Sequence, residues 1–338
     1  MGSTTRTILV TGGTGFVGGW TVRELRRALR GTAARDGRDA APALRLLIHR
    51  RPAARDCVAD TAVRVECAEG DLADPASLDG LCDGVDTVLH LAAKVGDDPA
   101  LAYQVNVAGT RNLLAEAQRA GVGRIIQLGT AAVYRDGAHR GAAEGELETG
   151  PASVTSRSRL TGEEMVLAAG GTVLRPHLVY GTGDVWVVPA LAYLMRRLPH
   201  WVEGGRARIS MVAVDDLARA IAALALGPAE PPGPAGRAGR VLHASHPVPV
   251  TTCEVLTALA AALQLPLPEG DLTVAQALEL LGDPASVWER RLSLLAVDHW
   301  YDSSALWELA GCDPGPGFPA RFADHAPWYR SALSKGTA

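Results

Sequence analysis

A chain of 338 residues with 47% hydrophobic content can bury one large core or two unequal ones. A formal net charge of −4 excludes nucleic acid and anionic membrane as main partners, leaving only what a local basic patch would bind. The five cysteines, Cys57, Cys67, Cys82, Cys253 and Cys312, show no paired spacing and no Cys-x-x-Cys, which predicts reduced thiols in a cytoplasmic protein without a metal centre.

The chain reaches apolar strand residues almost at once, without a signal-like segment, and no apolar run has membrane-spanning length. Thr7–Thr11 reads as the first strand, residues 16–29 as an amphipathic helix and residues 30–42 as a polar loop. Short apolar strands follow at 44–49, 62–69, 86–91, 124–128 and 172–174, with a long helix from about 106 to 120. This alternation predicts an α/β fold, a doubly wound parallel sheet covered on both faces. Past Arg175-Pro176 the pattern changes to helices at 185–198, 215–226, 251–263 and 274–281, strands at 209–214 and 240–244, and a Pro/Gly-rich loop at 227–239. The predicted organisation is a dinucleotide-binding domain over 1–176, with returns from about 212–246. A smaller C-terminal substrate-binding lobe takes 177–211 and 247–330.

Gly12, Gly15 and Gly18 follow the first strand and open the first helix. In that setting Gly12 permits a tight turn, Gly15 lets backbone approach a pyrophosphate, and Gly18 allows close helix–sheet packing. Thr14, Phe16 and Val17 belong to the same phosphate cradle, whose helix N-terminus favours anions. The second strand ends in Ile48-His49-Arg50-Arg51, where an NAD-selective chain carries an acid. Arg50 and Arg51 suit a 2′-phosphate, so NADP(H) is the expected cofactor.

Thr11–Gly18, Gly70-Asp71-Leu72, His90-Leu91-Ala92-Ala93, Asn106-Val107-x-Gly109-Thr110, Arg175-Pro176-x-x-Val179-Tyr180-Gly181 and Val214-Asp215-Asp216-Leu217-Ala218 occur in this order. Together they resemble the extended short-chain dehydrogenase/reductase family of epimerase/dehydratase type, over about residues 5–330. The resemblance implies a Rossmann-like sheet, with Asp71 and Leu72 at the adenine and Leu91, Ala92 and Ala93 along the cofactor. Pro176 and His177 would border the nicotinamide. It also puts Thr130, in Thr130-Ala131-Ala132-Val133-Tyr134, at the position of the family's carbonyl-binding Ser/Thr.

The family's Tyr-x-x-x-Lys falls on Thr155 and Arg159. No tyrosine stands between Tyr134 and Tyr180, and no lysine between Lys94 and Lys335, so no shift of register restores the pair. A threonine hydroxyl is too weak an acid near neutral pH, and arginine stays protonated. The proton must come from elsewhere: Lys94, His177, Tyr134 or the substrate itself. A ketone flanked by a phenol would carry its own proton, and Trp186, Tyr193, Met195, Trp201 and Met211 offer an apolar slot for flat rings.

The resemblance extends to actinobacterial secondary-metabolite enzymes. It implies an NADPH-dependent ketoreductase of an angucyclinone-type aromatic polyketide, a small-molecule partner. The competing readings are a nucleotide-sugar epimerase or dehydratase, in which loss of the Tyr-Lys pair is hard to accommodate, and a non-catalytic NADP-binding regulator. Nothing in the residues sets the oligomeric state.

Overall fold

The computed structural model describes residues 6–36, 43–50, 63–228, 239–282 and 285–334. Its main sheet is built from β1 (Thr7–Thr11), β2 (Ala43–Ile48), β3 (Arg64–Glu69), β4 (Thr87–His90) and β5 (Arg124–Leu128). After β6 (His139–Ala142), which belongs elsewhere, come β7 (Thr172–Arg175) and, much later, β12 (Arg240–His243). The strand order is β12-β7-β5-β4-β1-β2-β3 and every pairing is parallel. Leu9, Val10, Val88 and Leu89 are fully buried, as strands covered on both faces must be. One face packs Val22, Leu25 and Leu29 of the first helix with Leu217 and Ile221 and with Trp307. The other carries Leu72, Leu78, Leu113 and Ala117.

The chain runs outward from β1 to β3, then returns to place β4 on the other side of β1. Helices on opposite faces leave a crevice at the carboxyl ends of β1 and β4, where open α/β sheets bind ligands. A second core forms the lobe around Tyr180, Met195, Met211, Leu259, Phe318, Phe322 and Tyr329.

Between β7 and β12 the lobe carries β8 (Leu178–Tyr180), β9 (Trp201–Val202), β10 (Arg208–Ile209) and β11 (Met211–Ala213). Beyond β12 follow β13 (Val250–Thr251), β14 (Asp271–Leu272) and β15 (His299–Tyr301). The expected strand 209–214 is two strands in two sheets: β10 pairs with β13 and β15, whereas β11 pairs with β8. Ser210 makes the break, its N–H donating to His299 O and its hydroxyl accepting from Tyr301 N–H.

Two expected helices also differ. The first runs on to Asp36, because Arg30 and the alanines beyond it are helix formers rather than loop residues. The expected helix from about 106 is a short helix Pro99–Tyr103, a wide turn Gln104–Ala108 and the helix Gly109–Arg119. The helices Ala285–Ala296, Ser304–Ala310 and Phe318–Ser334 have no counterpart in the sequence expectation. Among the described residues no helix is long and apolar enough to cross a membrane.

Candidate active site

The glycine turn is closed by Gly15 N–H donating to Gly12 O at 2.9 Å. Gly12 sits at φ +71°, and a Cβ there would lie 2.5 Å from Ala92 N, so side-chain-free backbone lets the turn lie against the end of β4. A Cβ on Gly18 would come within 2.0 Å of Gly12 O. A Cβ on exposed Gly15 would meet only Gly12 O, at 3.2 Å, and otherwise stand in open space above the turn. Thr14, Phe16 and Val17 are half-buried around it. The Trp20 indole N–H donates to Thr182 O at 2.9 Å, drawing the loop after β8 over the same helix. An uncluttered helix N-terminus with no acid in its first turn fits a pyrophosphate.

At the outer rim, Leu72 is buried and Asp71 Oδ1 accepts from Ala73 N–H. Asp71 Oδ2 faces His49 Nε2 at 3.3 Å, a rim pair between the ends of β2 and β3 that motif reading missed. Arg50 is exposed just past β2, and Arg51 lies outside the described residues.

Thr130 follows β5. Its backbone N–H donates to Glu163 Oε1 at 3.1 Å, and its hydroxyl oxygen accepts from Ala132 N–H at 3.2 Å. The hydroxyl proton has no acceptor among the described residues. Glu163 comes from the helix Val154–Ala168 and is fully buried, with Oε2 taking Arg175 Nε–H at 2.8 Å. Gly129 is what lets it approach, since a Cβ there would lie 2.4 Å from Glu163 Oε1. The Arg175 guanidinium lies 5.0 Å over the Tyr134 ring.

The position expected to hold an acid holds a clasp. Thr155 Oγ1 donates to Gly96 O at 2.9 Å and accepts from Gly96 N–H at 3.0 Å. One turn on, Arg159 Nη2 donates to Leu128 O and Gly129 O at 2.6 and 2.7 Å. Burial pushes this guanidinium below the usual arginine range against the pull of Glu163. It serves as a fixed cap on the end of β5.

The other proton sources separate clearly. Tyr134 donates to His243 Nε2 at 2.6 Å, because His243 Nδ1–H is already given to Asp302 O; burial also raises the phenol's pKa. His177 stacks on His299 at 5.5 Å, and its buried Nε2 has no hydrogen-bond partner among the described residues. Burial, then the neighbouring His299 and His139, hold its pKa down to about 3, so the ring is neutral at pH 7 and not an imidazolium donor. Pro176 beside it accepts Ala131 N–H through its carbonyl.

Lys94 remains. Asn106, which sequence reading used only as a motif residue, clamps the Lys94 backbone: Oδ1 takes its N–H at 2.7 Å and Nδ2 donates to its carbonyl at 2.9 Å. Asn106 Nδ2 also reaches Ser158 Oγ on the helix that bears Thr155 and Arg159. Lys94 is half-buried, and its ammonium makes no hydrogen bond or ion pair among the described residues. Leu91 is buried, while Ala92 and Ala93 open progressively toward solvent.

The proposed aromatic slot is corrected. Met195, on the buried face of the helix Val187–Arg197, and Met211 of β11 are buried in the lobe core, with Trp201 of β9 packed against it. Tyr193 stacks on Trp288 at the surface. Trp186 is 64% exposed, at the head of a helix whose first N–H groups are capped by Asp184.

A model of the NAD dependent epimerase/dehydratase family matches residues 8–235. The chain is 31% identical over 263 residues to 2-alkyl-3-oxoalkanoate reductase of Stenotrophomonas maltophilia (strain K279a), covering 69% of this chain and 77% of that protein. It is 36% identical over 200 residues to dTDP-4-dehydrorhamnose reductase of Mycobacterium tuberculosis (strain ATCC 25618 / H37Rv), covering 53% and 60% respectively. Among solved structures, the Bordetella bronchiseptica enzyme WbmH in complex with NAD+ superposes with a TM-score of 0.70 at 20% identity, covering 97% and 99% of the two chains. A dTDP-glucose 4,6-dehydratase of Bacillus anthracis str. Ames in complex with NAD also gives 0.70, at 17% identity and 98% coverage of each.

Proposed function

Since the chain belongs to the NAD dependent epimerase/dehydratase family, we propose that it is an NADPH-dependent ketoreductase of an angucyclinone-type aromatic polyketide ketone, with the proton supplied by a phenol of the substrate. The observation that carries this reading is the Thr155 clasp. The site keeps a hydroxyl donor at Thr130, while neither Thr155 nor Arg159 offers a transferable proton.

A reduced nicotinamide held in the glycine cradle supplies the hydride. Thr130 O–H donates to the ketone oxygen and favours the charge that develops there. Glu163 fixes Thr130 through its backbone N–H, and Arg159 fixes the end of β5 on which Thr130 is mounted. The alkoxide takes the proton of the neighbouring phenol, leaving a phenolate delocalised over the ring system. Exposed Arg50, in a strand end that reads Ile48-His49-Arg50-Arg51 without an acid, supports NADPH over NADH. The reductase relatives, one of them acting by name on an oxoalkanoate, support reduction of a ketone.

A nucleotide-sugar epimerase or dehydratase is the second reading, favoured by the fold likeness to a dTDP-glucose 4,6-dehydratase. That chemistry requires a base, and the clasped Thr155 and capped Arg159 offer none. The test is oxidation of NADPH with an ortho-hydroxyaryl ketone, its methyl ether and nucleotide sugars. Equal rates for the free phenol and its ether sink the substrate-proton reading. Cofactor binding without turnover on any of them points to the NADP-binding regulator.

A further inference from the structure

We propose that Lys94 is the catalytic cation that receives the substrate phenolate and returns its proton. This inference rests on the ketoreductase reading above. Three observations converge on it.

Lys94 is the only lysine among the described residues, in a chain whose basic side chains are otherwise all arginine apart from Lys335. Arginine holds a charge but does not give up a proton, whereas a lysine ammonium does both.

Its placement is built. Asn106 grips the Lys94 peptide on both sides, and Gly96 two residues on is clasped by Thr155. Asn106 is tied in turn to Ser158, and Gly162 lets the same helix close on Asn106 O, where a Cβ would stand at 2.5 Å. The Lys94 loop is thereby fixed against the helical turn that lacks its acid, just beyond Ala92, which packs on the glycine turn.

The ammonium is also the one uncommitted cation of this corner among the described residues. Arg159 caps two carbonyls and Arg175 pairs with Glu163. A half-buried charge without a counter-ion is unfavourable until a ligand brings one.

The step balances. Hydride adds to the carbonyl carbon, the C=O π pair moves to oxygen, and the phenol O–H breaks as the alkoxide O–H forms. The phenolate keeps the electron pair and takes a proton from Lys94 Nζ. The neutral amine then takes a proton from water, completing the consumption of one NADPH and one proton per ketone.

The experiment uses the full chain with 8-hydroxy-1-tetralone and 8-methoxy-1-tetralone as probes, comparing wild type with Lys94→Met and Lys94→Arg. Phenolate absorbance of the reduced product, 8-hydroxy-1-tetralol, is read in the enzyme–NADP+ complex at neutral pH, alongside kcat and the Kd for NADPH. Wild type is expected to show a bound-phenolate band, which K94M loses and K94R keeps. In both variants kcat falls about 100-fold, within the range of lost proton transfer, while the Kd for NADPH stays unchanged. A persistent band with wild-type kcat in K94M overturns the proposal, as does a loss confined to NADPH affinity, which would make Lys94 a cofactor ligand. If the ether is reduced as fast as the phenol by wild type, the substrate-proton reading on which the proposal rests falls instead, and if neither ketone is reduced the ketoreductase reading falls. Should K94M fail to fold, judged by thermal unfolding, K94R decides: normal kcat there overturns the role as proton source.

Discussion

Thr155 holds Gly96 across 59 positions of sequence, with one hydroxyl donating to the Gly96 carbonyl and accepting from its N–H. A residue standing where an acid is expected is thereby a structural tie between the helix Val154–Ala168 and the loop that follows β4. Thr155→Val breaks both bonds and is expected to lower stability by about 1–3 kcal/mol. The KM for ketone should rise while the pH dependence of kcat keeps its shape, and Thr155→Ser should restore both. Loss of a limb of the pH profile in T155V, measured by steady-state kinetics, would instead make Thr155 the acid.

Glu163 and Arg175 form a buried pair that also holds Thr130 and lies against Tyr134. Arg175→Met leaves Glu163 buried without its cation and is expected to cost about 3–5 kcal/mol in denaturant unfolding. Adding Glu163→Gln should recover much of that loss, although Thr130 loses a charged acceptor and kcat stays low. A double variant no more stable than R175M would show that the pair does not act as a unit.

His90 is buried and His177 half-buried with its Nε2 shut off from solvent, and their pKa values are held down to about 4 and about 3 mainly by loss of hydration. Unfolded histidines titrate near 6.5, so below that pH the unfolded chain takes up protons that the folded chain refuses. Stability is therefore full above about pH 6.5 and falls as pH drops toward the folded values, by about 1.4 kcal/mol per unit for each histidine. His177→Phe should remove one histidine's share of that slope. Urea unfolding at pH 7, 6 and 5 measures it, and an unchanged slope would show that His177 titrates alike in both states.

What the residues made legible was local. Gly12 and Gly18 announce their turn because each is demanded by contacts within a few positions or by the adjacent strand end. The strands β1, β2 and β4 were readable because burial on both faces leaves nearly unbroken apolar runs, whereas the edge strand β3 is half-exposed and mixed. The Thr155 clasp and the Asn106 clamp were not, since their partners lie 59 and 12 positions away and are backbone atoms, which no side-chain pattern records. Ser210 illustrates the same limit: a continuous apolar pattern runs through 209–214, yet its two halves pair in different sheets. Met195 and Met211 looked like a ring-binding slot because composition alone does not separate a lobe core from a cavity wall.

Arg50 stands exposed at the end of β2 without the acid of an NAD-selective strand end. Arg50→Ala is expected to weaken NADPH binding about 10-fold, as for loss of one charge-assisted hydrogen bond. NADH affinity should be unchanged. Fluorescence titration of both nucleotides measures the ratio; an equal loss for each would place Arg50 at the shared adenosine diphosphate, not at the 2′-phosphate.

Gly15 and Gly18 belong to one motif but answer to different constraints, and alanine at each separates them. A methyl on Gly18 would stand 2.0 Å from Gly12 O, inside the turn itself, so Gly18→Ala must push backbone apart and is expected to unfold readily. A methyl on Gly15 meets only Gly12 O at 3.2 Å and projects away from the protein, so Gly15→Ala should keep a near-normal Tm. It would nevertheless occupy the space above the helix N-terminus where a pyrophosphate approaches. NADPH affinity in G15A is therefore expected to fall at least 10-fold, about 1.4 kcal/mol, with stability conserved. Unchanged nucleotide binding in a folded G15A would mean that the dinucleotide does not lie over this turn.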